Sequence, residues 1–420
     1  MITQIDIENY KSIDKLSMLL GRVNVFIGEN GAGKSNILEI IALGAAASAD
    51  KLDNEFLVSR GIRVAKPDLM KSVLPGADPD QPISVQFKGQ DTELASFSLQ
   101  NDNAVYSKWT VERHLHPDIP DEILDKELKA FVKENIEGGI ESDDRADLYY
   151  RFAKFLEETS AIVDAAKPTP EGLKLLTSAT KKIGPMFQMM KKLVNLSVKP
   201  PHLDNFVIYS PENSSLRNLK PEGQIEPLGI NGEGLLKLIS FYADSPESTV
   251  LDDVKRGLKM LGWFRDFDIS NDSNERHLDI KDKFIGADRK GIDHISANEG
   301  FFFLLFYFLL FNSELTPRFF AIDNIDASLN PKLCRRLMTE LVGMAKKHDK
   351  QVILTTHNPA ILDGLDLNDE EQRLFVVSRN QNGATRLKRI AKPLPAENQP
   401  SYKLSELFMD GALGGLPKGF

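Results

Sequence analysis

Cysteine is almost absent from this chain: Cys334 stands alone among 420 residues. One thiol excludes intramolecular disulfides and cysteine-rich zinc sites. Long apolar runs are missing too. The most apolar stretch, Phe301 to Phe311, is too short to span a bilayer. Positive charge is in deficit, with 52 Lys and Arg against 61 Asp and Glu and a net charge of −9. A chain so balanced is not built broadly for phosphate backbones, so any nucleic-acid contact must be a local patch or arise in an oligomer. The start, Met1 to Asp6, alternates like a strand and lacks the apolar core of a signal peptide. Internal repeats and low-complexity segments are absent. These absences lead us to expect a soluble, cytoplasmic protein with no membrane partner. Its apolar share of 41 % suffices for a sizeable core, and its length allows two or three domains or one large domain with an insertion.

What is present is sharpest at Gly28-Glu29-Asn30-Gly31-Ala32-Gly33-Lys34-Ser35, which fits the phosphate-binding P-loop pattern. An apolar, β-branched strand is predicted before it at Val23 to Ile27. A helix is predicted after it from Ser35 to Ala47. Glycines at 28, 31 and 33 let main-chain N–H groups curl around a triphosphate. The helix start adds partial positive charge. Lys34 can reach the β- and γ-phosphates, and Ser35 can ligate Mg²⁺.

Around this centre we expect strands at residues 2–8, 15–20, 83–88, 93–99 and 104–112, forming an antiparallel layer. Composition shifts near His116-Pro117. Residues 115–200 read as a helical insertion, rich in charge and in methionine, closed by Pro200-Pro201. Its Lys181-Lys182 and Lys191-Lys192 pairs read as a solvated face. Strand returns at 206–209 before a Ser210-Pro211-Glu212-Asn213 loop. Helices are expected from Gly232 to Tyr242 and over 250–261, and short strands at 264–270 and 277–282. Ser296 would cap an apolar core helix over 301–311, with Glu299 closing a capping box. A strand at 318–323, a helix at 331–346, strands at 351–355, 374–378 and 385–390, and a short helix at 404–409 complete the chain.

Phe319-Phe320-Ala321-Ile322-Asp323 is an apolar strand ending in one acid, and Asp323 could hold Mg²⁺ beside Ser35. The order of the P-loop, Ile295–Gly300, Asp323, Asp326-Ala327-Ser328-Leu329-Asn330-Pro331 and His357 resembles the ATP-binding-cassette ATPases. Within them it resembles the SMC/RecF/OLD-like heads. Asn9-Tyr10-Lys11-Ser12 is similar to their N-F-[RK]-S element, and Asn36 completes their form of the P-loop. The resemblance covers roughly 1–115 and 200–400. It implies an α/β P-loop NTPase fold, an ABC-type head with a mixed central sheet, an antiparallel β layer and a helical insertion. The lobes would be 1–114 with the P-loop, the insertion 115–200, and 201–420 with signature, Walker B acid and switch histidine.

By the same resemblance, two heads would sandwich ATP and Mg²⁺ as a homodimer or a higher homo-oligomer. Lys11, Gly28, Asn30, Gly31, Gly33, Lys34, Ser35 and Asn36 would hold nucleotide, and Ser296 would reach the nucleotide of the other head. Asp326 would start the D-loop, His357 would be the switch histidine, and Ser210–Glu212 would occupy the Q-loop position. Single heads of this kind resemble anti-phage defence or DNA-repair ATPases, with a separately encoded nuclease or toxin effector as partner.

Two departures stand out. Asn324 occupies the place of the usual catalytic Glu, and Ala297 and Asn298 replace signature glycines. An amide cannot accept a proton, so slow hydrolysis is expected, with Asp326 or His357 left to orient the water. The alternatives are an architectural DNA-binding protein, or an OLD-like nuclease. The stretch after His357 is short for the Toprim domain that such a nuclease would need.

Overall fold

The computed structural model describes residues 1–78, 80–89, 93–102, 108–115, 121–136, 150–155, 184–186, 188–189, 202–218, 227–245, 247–272, 275–286, 292–294, 296–391 and 403–415. The chain divides into two compact units. One is Met1–His114 with Pro200–Phe420, and the other is Leu115–Lys199.

In chain order the strands are β1 (Gln4–Tyr10), β2 (Ile13–Leu19), β3 (Val23–Ile27), β4 (Ile83–Lys88), β5 (Glu93–Gln100), β6 (Thr110–Leu115), β7 (Ile208–Tyr209), β8 (Phe264–Asp272), β9 (Glu275–Asp282), β10 (Ile292–Asp293), β11 (Phe319–Ile322), β12 (Gln351–Thr355), β13 (Gln372–Arg379) and β14 (Thr385–Ile390). They form three sheets. The central one runs β14-β13-β3-β12-β11-β7, a second runs β2-β1-β4-β5-β6, and a third runs β10-β9-β8. In the central sheet β7, β11, β12, β3 and β13 are parallel, and only β14 turns back against β13. The mixed sheet, the antiparallel layer and the P-loop after β3 make this an α/β P-loop fold.

Sequence pattern explains the difference between the sheets. Every residue of β3, β11 and β12 is buried, as continuous apolar runs must be when both sheet faces are covered. Strand β4 instead alternates, with Ile83, Val85 and Phe87 buried and their neighbours half-buried. Those side chains pack on the helix Lys34–Ser48. A Cβ at its Gly44 would lie 2.8 Å from the Phe87 ring and 3.0 Å from Val85. Glycine inside this helix is therefore the condition for its close approach to the sheet.

Helix Glu299–Asn312 is buried on all sides and forms the middle of the main core. An all-round apolar helix can sit only there. Its N-cap is Asn298, whose side chain accepts from the Gly300 N–H at 2.8 Å. Ser296 does not cap it, and Glu299 instead accepts from the Ser328 hydroxyl. Asn caps as well as Ser does, and it stands directly before the helix. The next helix, Pro331–Lys347, has Asn330 as N-cap at 3.0 Å from Leu333 N, proline in its first turn and two lysines in its last.

Some segments depart from expectation. The 210–213 loop runs directly into a short helix, Asn213–Arg217. The helix after Gly232 begins only at Leu235, because Gly234 is left-handed (φ 83°) and serves as its cap. The helix at Val250 ends at Leu258 rather than 261. Strand β6 lies at Thr110–Leu115 instead of 104–112, and 103–107 lie outside the described residues. Helix Asn54–Ser59 and the 3₁₀ turn Pro359–Gly364 are short and were not expected. In the second unit, Asp121–Asn135 and residues 150–155 are helical, and Leu128, Phe131, Val132, Phe155 and Met189 share a small core. Most of the rest of the expected helical insertion, with the Lys181-Lys182 and Lys191-Lys192 pairs, lies outside the described residues.

Candidate nucleotide site

The parallel register determines where the chemistry gathers. Ile322 of β11 lies beside Leu354 of β12, and Thr355 beside Phe26 of β3. The carboxyl ends of three buried strands therefore stand side by side. Ligands in open α/β sheets bind at such ends.

From β3 the chain enters the loop Gly28–Ser35. Gly28, Gly31 and Gly33 all have positive φ (149°, 77° and 109°). A Cβ at Gly28 would lie 2.1 Å from the Val377 carbonyl oxygen, and one at Gly33 would lie 2.2 Å from the Thr385 hydroxyl. These two glycines let the loop press against the sheet. Among the described residues nothing lies within 4 Å of the Cβ position at Gly31, and Asn30 beside it is exposed. The tip of the loop thus faces open space.

Lys34 is buried, and its Nζ donates to the carbonyl oxygens of Gly28 (2.9 Å) and Glu29 (3.1 Å). Among the described residues no carboxylate forms an ion pair with it. Burial pulls its pKa below the ordinary lysine range, against the opposing charges of Asp323 and Glu29. A buried ammonium held only by main-chain carbonyls is suited to receive an anion. The next residue, Ser35, places Oγ 3.4 Å from Oδ2 of Asp323, although the two are 288 positions apart. Thr355, at the end of the strand between them, donates its hydroxyl to the other oxygen of Asp323. The donor set of one hydroxyl and one carboxylate is of the hard-oxygen kind that Mg²⁺ takes alongside phosphate and water. Loop, lysine and oxygen pair all fit a magnesium-bound nucleoside triphosphate.

Beyond β11, Asn324 is exposed and left-handed (φ 57°), its N–H held by Thr355 Oγ1 at 2.9 Å. Asp326 accepts from Thr356 Oγ1 at 2.6 Å. His357 follows on an exposed position. Partial burial and the Lys34 charge push its pKa below the ordinary value, against the pull of Asp326 and Asp323.

Asn36 donates to Ser12 Oγ at 2.7 Å, and Ser12 shares a 2.7 Å bond with the Thr385 hydroxyl. Thr385 Oγ1 reaches the Ala32 carbonyl of the loop at 3.1 Å. The turn between β1 and β2 is thereby tied to the back of the P-loop. Lys11 in that turn bonds to Glu39 at 2.5 Å. Ser296 is exposed and makes no hydrogen bond to its own P-loop among the described residues. The neighbouring Ala297 carbonyl is held at 2.7 Å by Arg217, which also reaches the His294 carbonyl at 3.2 Å. Ser210 and Glu212 pair through their N–H groups with the carbonyls of Ile230 and Asn231, both at 2.8 Å. Among the described residues they make no hydrogen bond to the P-loop.

Thr355, Thr356, Ser12, Thr385, Glu39 and Arg63 were not singled out from sequence as site residues. Thr355 and Thr356 had one legible signal, as polar residues closing an apolar strand next to His357. Glu39 had another, as the one acid on an apolar helix.

Comparison with known proteins adds sequence kinship. Residues 1–136 match the family "AAA ATPase domain", and residues 300–363 match "AAA domain, putative AbiEii toxin, Type IV TA system". An uncharacterized protein of Methanocaldococcus jannaschii, MJECL10, is 31 % identical over 124 residues, covering 28 % of this chain and 55 % of that protein. The chain thus spans about half the length of that relative. Similar solved structures include an SMC head domain from Thermotoga maritima (14 % identity, TM-score 0.42, 93 % of this chain and 98 % of that one). Another is an Smc head with extended coiled coil, bound to the C-terminal domain of ScpA derived from Pyrococcus furiosus (12 % identity, TM-score 0.46, 93 % and 96 %).

Proposed function

We propose, from the premise that this chain is an SMC/RecF-like ATPase of the AAA type, that ATP-dependent pairing of two heads is its working stroke and controls a partner protein in anti-phage defence or DNA repair. The observation that carries the nucleotide part is the meeting of Ser35 with Asp323 beside the caged Lys34. Bound Mg²⁺·ATP would supply the cleavable phosphoanhydride and the charge that links two copies. Gly28, Asn30, Gly31, Gly33 and Lys34 would hold the phosphates, with Ser35 and Asp323 at the metal. Asn36 would support the loop from behind through Ser12, and Lys11 would lie beside the phosphates.

The pairing is supported by Ser296, which is exposed and, among the described residues, makes no bond to its own loop, so that it would be free to meet nucleotide on a second copy. Asp326 and His357, on the turns after β11 and β12, would orient a water. Asn324 holds the position from which a carboxylate would take its proton, so turnover is slow. The partner's nature, whether a separately encoded nuclease or toxin effector or DNA, follows from the family likeness alone.

Mass in solution with and without a non-hydrolysable ATP analogue tests this reading. A doubled mass with analogue, lost in Lys34→Ala and in Ser296→Arg, is expected. Unchanged mass at saturating analogue would overturn the pairing while leaving nucleotide binding to be read separately by calorimetry.

A further inference from the structure

Glu39 is the acid of the P-loop helix, one turn after Ser35 and so on the same helix face. It is 1 % exposed. A buried carboxylate in an apolar helix is costly unless it is well paired, and this one is paired three times over. Lys11 Nζ stands 2.5 Å from Oε2. Arg63 Nε stands 2.5 Å from Oε1. The Tyr10 hydroxyl donates to Oε2 at 3.4 Å. Burial, and the adjacent carboxylate, raise the Tyr10 pKa well above its ordinary value, so it stays a neutral donor.

The three partners come from two separate elements. Tyr10 and Lys11 close β1, with Lys11 in a left-handed turn (φ 47°). Arg63 follows the helix Asn54–Ser59. Of the two cations, Arg63 lies toward the metal side of the loop. Arg63 Nη2 approaches the Asn36 side chain at 3.5 Å, next to Ser35, and Arg63 feels the charge of Asp323. Its side chain is 69 % exposed, and beyond these contacts its guanidinium faces solvent among the described residues. Two cations share one carboxylate, so the cluster keeps a net positive charge beside the P-loop.

We propose that Glu39 is a positioning residue that presents Lys11 and Arg63 together to the terminal phosphate, and so makes the site prefer a nucleoside triphosphate over a diphosphate. The charge is held by one buried anchor rather than by two free side chains. Less ordering is therefore left to be lost when the ligand binds. A role confined to folding would not distinguish the two nucleotides. A role confined to neutralising charge would make the site bind both more tightly once the acid is removed.

This inference rests on the nucleotide reading above. The test measures calorimetric affinities for Mg²⁺·ATP and Mg²⁺·ADP in wild type, Glu39→Gln, Lys11→Met, Arg63→Met and Lys34→Ala, with thermal melts alongside. Glu39→Gln should lower the preference for triphosphate by roughly tenfold while the diphosphate affinity moves by less than about twofold. Parallel weakening, joint tightening or an unchanged preference each overturns the proposal. Should Glu39→Gln fail to fold, Lys11→Met and Arg63→Met carry the same readout, and an unchanged preference in both is equally fatal. Absence of wild-type binding to Mg²⁺·ATP sinks the functional reading and the inference with it. Binding with an unaltered preference sinks the inference alone.

Discussion

The central sheet and the antiparallel sheet divide the work unequally. In the central sheet the strands β3, β11 and β12 are buried throughout, and the candidate-site residues lie only where they end. The antiparallel sheet shows one buried and one wetter face in β4 and contributes a single turn, Tyr10–Lys11–Ser12, to the site. The lesson is one of dielectric and access. A fully covered strand can place a charged group only at its rim, where water or a ligand reaches it. A half-covered strand pair can lend a side chain from its turn without unbalancing the core.

Breaking the rim of the central sheet should have the largest effect. Lys34→Ala removes the one cation buried within the loop and should weaken Mg²⁺·ATP binding by about a hundredfold or more, read by calorimetry. Asp323→Asn keeps the shape but halves the oxygen pair, and should cut steady-state turnover by roughly a hundredfold, partly restored by raised Mg²⁺. Asn324→Glu supplies the missing proton acceptor and should raise turnover by about tenfold or more in a radiolabel assay. If wild type already turns over rapidly and Asn324→Ala matches it, the slow-hydrolysis argument is wrong.

The opposite end of the same sheet sharpens the contrast. Lys350, just before β12, is 1 % exposed. Its Nζ donates to the carbonyls of Ser313 (2.7 Å), Thr316 (3.0 Å) and Pro317 (3.3 Å) and to the Thr316 hydroxyl (2.9 Å). Burial, with the Arg318 charge, lowers its pKa to about 7, against the pull of Glu314. The folded state then releases a proton that the unfolded chain keeps up to the ordinary lysine range. Stability from this group therefore rises with pH above about 7 and is absent below it. Between pH 7 and pH 9 wild type should gain roughly 1–2 kcal/mol that Lys350→Met does not, with nucleotide affinity unchanged. A flat pH profile in both proteins would refute this account.

The smallest effect is expected from the turn of the antiparallel sheet. Ser12→Ala loses the bonds to Thr385 and Asn36 and should cost about 1 kcal/mol in denaturant melts. A loss of nucleotide binding as large as that of Lys34→Ala would erase the distinction between the two sheets.

Much of the fold was legible because its signals are local. Strands at Val23–Ile27, Ile83–Lys88, Gln351–Thr355 and Thr385–Ile390 have the bounds that apolar runs and flanking turns predict. The short helices Asn54–Ser59 and Asn213–Arg217 were not legible. Six and five residues hold too little periodicity, and tertiary contacts such as the Arg217 bonds to the 294–297 segment stabilise the second. The cap of the core helix was misplaced by two residues because Ser296 and Asn298 are both good caps and only backbone geometry separates them.

For the site, the amino-acid order by itself determined the phosphate loop, the acid closing β11 and the amide that follows it, since each is a motif within one short window. Only the tertiary structure decided that Thr355 steadies Asp323, that Ser12 and Thr385 brace the loop from behind, and that Glu39 gathers Lys11 and Arg63. Those contacts join residues tens to hundreds of positions apart. A side chain's partner across such a distance depends on strand order and register, which no local pattern encodes.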